Sequence, residues 1–144
     1  MSTSSAANIR VVEFAFTGYP VTDLVRARGF YEGLLGLTPA TIWTEGPGKA
    51  WIEYELGGHA LAITNLAEGQ WKPGGDGPAL ALEVADFDAT VEALRAAGVV
   101  FVIDVVDSPT CRLAVILDPD GNSLAIHRRA GRDAHDHGVG EDVR

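Results

Sequence analysis

With twenty acidic against eleven basic side chains in 144 residues, a net charge of −9 and a pI near 4.7, the chain repels phosphate backbones and anionic membrane surfaces. Its basic residues are scattered, its single cysteine (Cys111) excludes an intrachain disulfide, and no apolar run reaches membrane-spanning length. One soluble, cytoplasmic domain is expected, with no nucleic-acid or membrane partner, and it can bury about two thirds of its unfolded surface.

Residues 1–9 are small and polar and read as a flexible N-terminus. Arg10–Thr17 is rich in β-branched and aromatic residues and reads as a strand ended by Gly18-Tyr19-Pro20. A helix over 22–35 follows, capped by Thr22 or Asp23, with Leu24, Ala27, Phe30, Tyr31 and Leu34 at helical spacing and Gly36 as its stop. Ala40–Glu45, Ala50–Leu56 and His59–Thr64 read as three strands, the last two joined by a Gly57-Gly58 hairpin turn. Residues 65–76, rich in glycine, suit a linker.

The same order then returns. Pro78–Val84 reads as a strand, Asp86 caps a helix over 86–97, and Val99–Val105, Thr110–Leu117 and Ser123–Arg128 supply three more strands. The polar stretch 130–144 has no apolar periodicity and reads as a disordered tail. Val21-Thr22-Asp23-Leu24 recurs as Val84-Ala85-Asp86-Phe87, and Leu61-Ala62-Ile63 as Leu124-Ala125-Ile126, each displaced by 63 residues. Two copies of one βαβββ unit are therefore expected, module one over 10–64 and module two over 77–129, burying apolar faces together in one α+β domain.

Phe30-Tyr31-Glu32 with Leu35-Gly36-Leu37, and Asp118-Pro119-Asp120-Gly121-Asn122 before the last strand, resemble signatures of the vicinal oxygen chelate superfamily, the glyoxalase, bleomycin-resistance and extradiol-dioxygenase group. The resemblance covers residues 10–129. It implies curved mixed sheets around a cup, helices on the outer faces, and frequent pairing into homodimers. In the metalloenzymes it implies four ligands, from the first and last strand of each module. Here those positions fall on Ala62, Ala79 and Ala125, with Glu13 the best candidate for the fourth, the Gly18-Tyr19-Pro20 segment being taken as an insertion. Alanine has no donor atom, so no metal cofactor is expected.

If these residues face inward, period-two alternation and the Gly57-Gly58 turn bring Trp51, Glu53, Glu83 and His127 to the same cavity. A four-residue turn at 118–122 would place Arg112 opposite His127, whereas a five-residue turn breaks that pairing. Glu13 and Glu53 are the candidate catalytic residues: acids sharing a poorly solvated space resist joint ionisation, and a raised carboxyl can act as a base. Trp51, Ala62, Ala79, Glu83, Arg112, Ala125 and His127 are the candidate ligand-binding residues. Each also has a plainer role, Glu13 at a sheet edge, Glu53 on a solvated face and His127 as a surface residue. The favoured expectation is a protein that binds a small, partly hydrophobic molecule in a metal-free cup. The alternatives are a metal-free acid/base enzyme and a lyase, isomerase or dioxygenase holding one divalent metal on displaced ligands.

Overall fold

Helix starts and stops are set by the residues the sequence nominates. Asp23 accepts a hydrogen bond from the Arg26 amide at 3.1 Å and Asp86 one from the Ala89 amide at 3.0 Å, while Gly36 and Gly98 terminate the helical segments at φ 76° and 77°, where a side chain would be strained. A computed structural model describes Arg10 and residues 12–131; the expected flexible terminus and all but the first two residues of the expected tail fall outside them. Module one contains β1 (Thr17–Pro20), α1 (Leu24–Arg28, continuing as a π-helical stretch Gly29–Leu34), β2 (Pro39–Thr44), β3 (Ala50–Leu56) and β4 (His59–Thr64). Module two contains β5 (Leu80–Glu83), α2 (Phe87–Ala96), β6 (Phe101–Asp107), β7 (Cys111–Leu117) and β8 (Ser123–Arg129). Each forms a four-stranded mixed sheet, ordered β1-β4-β3-β2 and β5-β8-β7-β6. Among the described residues no helix is long and apolar enough to cross a membrane.

The first strand departs from expectation. β1 pairs in parallel with β4, Gly18 opposite Ala62 and Pro20 opposite Thr64, so Gly18-Tyr19-Pro20 is strand and not an insertion. The proline is tolerated because the Val21 amide bonds to Thr64 O; alternate residues therefore face β4, and the missing N–H of Pro20 lies on the open edge. With no insertion the 63-residue offset runs unbroken from β1 to β5. Phe16, not Glu13, is then the counterpart of Ala79.

Apolar alternation decides which face each helix covers. Ile52, Tyr54, Leu61 and Ile63 pack under α1, Ala114, Ile116, Leu124 and Ile126 pack under α2, and all join one contiguous buried cluster. Each fully buried Leu or Ile contributes about 1.5–3 kcal/mol relative to exposure.

The two family-like motifs meet across the modules. Tyr31 donates to Asp118 Oδ2 at 2.8 Å, and Asp118 Oδ1 accepts the amides of Asp120 and Asn122 at 2.9 and 2.8 Å. Asn122 reaches Pro20 O at 2.9 Å, and Asp120 accepts from Thr22 and pairs with Arg26. Burial and the neighbouring Asp118 charge push the Tyr31 hydroxyl far above its ordinary range, which keeps it a donor. The 118–122 loop thus clasps module two to the first turns of α1.

Candidate ligand-binding site

The face of each sheet turned away from its helix carries the site candidates. In module one, Trp43 lies opposite Trp51 across β2 and β3, Trp51 opposite Thr64, and Glu53 opposite Ala62. Phe16 meets Trp51 edge to face at 5.0 Å. A side chain on Gly18 would collide with the Trp71 ring at 2.9 Å, so glycine is what admits that indole. All three tryptophans of the chain therefore converge on one inner face. Trp51 Nε1 donates to Glu53 Oε2 at 2.8 Å, fixing the carboxylate beside the rings. Trp43 and Trp71 remain 55% and 40% exposed, leaving ring surface for stacking.

The inner face of module two is built differently. Ala81, Ala125 and Val115 align across β5, β8 and β7, followed by Glu83, His127 and Leu113. Glu83 Oε1 lies 2.6 Å from His127 Nδ1, and its second oxygen accepts the Arg129 amide at 2.9 Å. The carboxylate orients the imidazole and leaves Nε2 on the opposite side of the ring.

Among the sequence candidates, Trp51, Glu53 and Ala62 share the first inner face, and Glu83, Ala125 and His127 the second. Three placements differ. Glu13 precedes β1 and is exposed, so it shares no buried space with Glu53. Ala79 also precedes its strand and is exposed. Arg112 lies on the helix side: the 118–122 loop has five residues, so Leu113 faces His127, while Arg112 pairs with Asp88 and Asp107 and stacks on Phe87 at 4.5 Å. Ala62 is fully buried, so the floor of the first inner face is covered there. A cavity of about 1070 Å³ lies instead between the facing edges of β1 and β5.

Phe16, Gly18 and Trp71 escape sequence reasoning. Carrying the offset through Gly18-Tyr19-Pro20 would have revealed the first two; Trp71, on the linker, has no sequence signal. With the 63-residue offset carried through β1, the four positions that the resemblance implies for metal ligands become Phe16, Ala62, Ala79 and Ala125, none with a side-chain donor. Among the described residues no group of three or more His, Cys, Asp or Glu could hold a metal. These residues do not fit the superfamily's metal centre.

Comparison with known proteins agrees with this architecture. An anthracycline biosynthesis protein, DauV, from Streptomyces sp. (strain C5) is 32% identical over 108 residues, covering 72% of this chain and 37% of that protein; the chain thus spans little more than a third of its relative's length. An antibiotic binding protein, TnmS3, from Streptomyces sp. CB03234 superposes with a TM-score of 0.67 at 23% identity, over 85% of this chain and 99% of the other, a likeness of fold. A glyoxalase/bleomycin resistance protein from the same organism matches with a TM-score of 0.64 at 25% identity, over 81% and 100%. The family description covers residues 13–126, which takes in most of both modules and their clasp, and the chain belongs to the Glyoxalase/Bleomycin resistance protein/Dioxygenase superfamily.

Proposed function

We propose that this protein binds a small, partly hydrophobic molecule without a metal, on the tryptophan-lined inner face of module one. The observation that carries this reading is the convergence of Trp43, Trp51, Trp71 and Phe16 on one face beside the Glu53 carboxylate. Stacking on an aromatic side chain is worth about 1–3 kcal/mol per ring system, and the carboxylate favours a cationic or hydrogen-bond-donating substituent. Trp71 occupies the floor above Gly18, so a flat ligand would stack on this indole or take its place. Donor-free residues at the four ligand positions support the metal-free part of the reading. The relative named for anthracycline biosynthesis supports a flat, fused-ring ligand. The reading includes a homodimer, in which a two-fold axis closes two open inner faces against each other.

The test is titration with doxorubicin, an anthracycline, followed by tryptophan fluorescence, alongside elemental analysis and light scattering. Quenching that saturates at one ligand per chain, in metal-free dimeric protein, is expected. No quenching at tens of micromolar by doxorubicin or other flat aromatic amines, or one equivalent of transition metal bound to the folded domain, would refute it.

One observation favours a second reading, metal-free acid/base catalysis: Glu83 holds His127 Nδ1 at 2.6 Å, the arrangement that prepares an imidazole to accept a proton at Nε2. Conversion of a bound compound that disappears in His127→Gln, with binding retained, would establish it.

A further inference from the structure

The facing edges of the two modules meet at one end only. There the Tyr19 hydroxyl donates to Ser123 O at 2.7 Å and accepts from the Leu80 amide at 2.9 Å, standing where a direct β5–β8 bond would form. The rest of the gap is the cavity of about 1070 Å³, at the upper end of the range for drug-sized ligands. Its walls come from both modules, with Leu35, Leu37 and Leu56 on one side and Leu82, Ala89 and Ala93 on the other. Ala89 and Ala93 are one helical turn apart on α2, and their small side chains leave the space open. Phe87 turns into the core instead.

The polar lining from module two is acidic, while module one adds His59. Glu83 and Asp86 border the cavity, and no Lys or Arg among the described residues does. The Asp86 carboxylate caps α2 through the Ala89 amide, and Glu83 is held by His127 and Arg129, so both acids are fixed in place. The Val84 amide bonds to His127 O, and by strand alternation the backbone groups of Ala81 and Glu83 turn toward the cavity side.

The geometry points to a second ligand site, which adjoins the aromatic face at Phe16 but includes none of the tryptophans: the inter-module cavity takes an aliphatic amine, its hydrocarbon among the leucines and alanines and its ammonium at the Glu83–Asp86 end. An aliphatic wall rewards each buried methylene by roughly fourfold in affinity. Two carboxylates, with no Lys or Arg lining the cavity among the described residues, disfavour a fatty acid, whose headgroup would be desolvated against like charge. This site goes beyond the proposed aromatic ligand and stands or falls without it.

Isothermal titration of the full chain at pH 8 with dodecylamine, dodecan-1-ol and dodecanoate, each below its micelle concentration, tests the assignment. One dodecylamine per chain is expected, with the alcohol about tenfold weaker and the carboxylate weaker still. Ala89→Phe and Ala93→Phe, at exposed helix positions that preserve the fold by circular dichroism, should each weaken dodecylamine at least tenfold. Doxorubicin quenching should persist in both, and Trp43→Ala should leave dodecylamine binding intact. Glu83→Gln should narrow the amine-to-alcohol ratio. The assignment is overturned if none of the three probes binds, if dodecanoate matches the amine, if both phenylalanine variants bind normally, if Trp43→Ala abolishes amine binding, or if Glu83→Gln leaves the ratio unchanged.

Discussion

Module one and module two share a strand order and a 63-residue offset, yet only their helix-facing sides have stayed alike. Leu61 and Ile63 have Leu124 and Ile126 as counterparts, all buried, whereas the inner faces carry tryptophans in one module and a Glu83–His127 pair among aliphatic residues in the other. The hairpins differ too. Gly57-Gly58 turns in two residues, while 118–122 takes five and uses them to bind the first module. Packing under a helix constrains shape and volume tightly, while an inner face is free to acquire chemistry. The contrast makes the faces where the copies disagree the place to test for function.

The sharpest way to break the comparison is to remove the clasp that only one hairpin possesses. Asp118→Ala orphans the Tyr31 hydroxyl and the Asn122 amide in a buried setting and should cost about 4 kcal/mol. Calorimetry should then resolve two transitions, one per module, in place of one. A single transition at the parent temperature would mean that the modules are coupled by their apolar contact alone.

Equivalence of the two cores can be sharpened next. Leu61→Ala and Leu124→Ala remove the same atoms from corresponding buried positions, and each should cost about 3 kcal/mol in denaturant unfolding. A difference above roughly 2.5 kcal/mol, beyond the usual spread for one chemistry, would show that one module dominates stability. On the inner faces, Trp43→Ala should weaken doxorubicin about tenfold with stability changed by less than roughly 0.5 kcal/mol, because the ring is exposed. His127→Gln should leave that affinity unchanged. Equal effects of the two variants would place the ligand across both faces.

Most of the fold was legible in the sequence because its signals are local. Asp23 and Asp86 as caps, Gly36 and Gly98 as stops and the Gly57-Gly58 turn each act within a few residues, and β3 and β4 fall where the alternation puts them. The first strand was misread because Gly18-Tyr19-Pro20 looks like a turn. What makes it a strand is non-local, the pairing with β4 and an open edge that hides the missing amide of Pro20. The hairpin register placed Trp51, Glu53 and Ala62 on one face, since a two-residue turn leaves no freedom, but the five-residue loop sent Arg112 to the other side of its sheet. Trp71 covering Gly18 depends on how the linker returns over the sheet, which no short-range pattern encodes.

The smallest expected effect concerns acid stability at a position where the modules carry opposite charges, Glu32 in α1 and Arg95 in α2. Glu32 Oε2 accepts from Arg28 at 2.7 Å and from the Tyr54 hydroxyl at 2.9 Å, tying α1 to β3. Burial alone would raise this carboxyl, but the bonds from Arg28 and Tyr54 outweigh it and hold it below its ordinary value of 4.5. A group depressed on folding stabilises the native state fully above its unfolded value and loses that contribution as pH falls through the folded one. The partly exposed site discounts this to about 0.5–1 kcal/mol. Glu32→Gln should therefore cost that amount at pH 7 and little near pH 2, flattening the stability curve below pH 4.5. Arg95→Gln should change the acid limb less, because the Asp104 carboxyl it faces is exposed and is lowered first by the Val105 amide, which the substitution leaves in place. Urea midpoints measured from pH 7 to pH 2 would decide it: a Glu32→Gln curve parallel to the parent's would mean that Tyr54 and Arg28 hold the helix equally well without the charge.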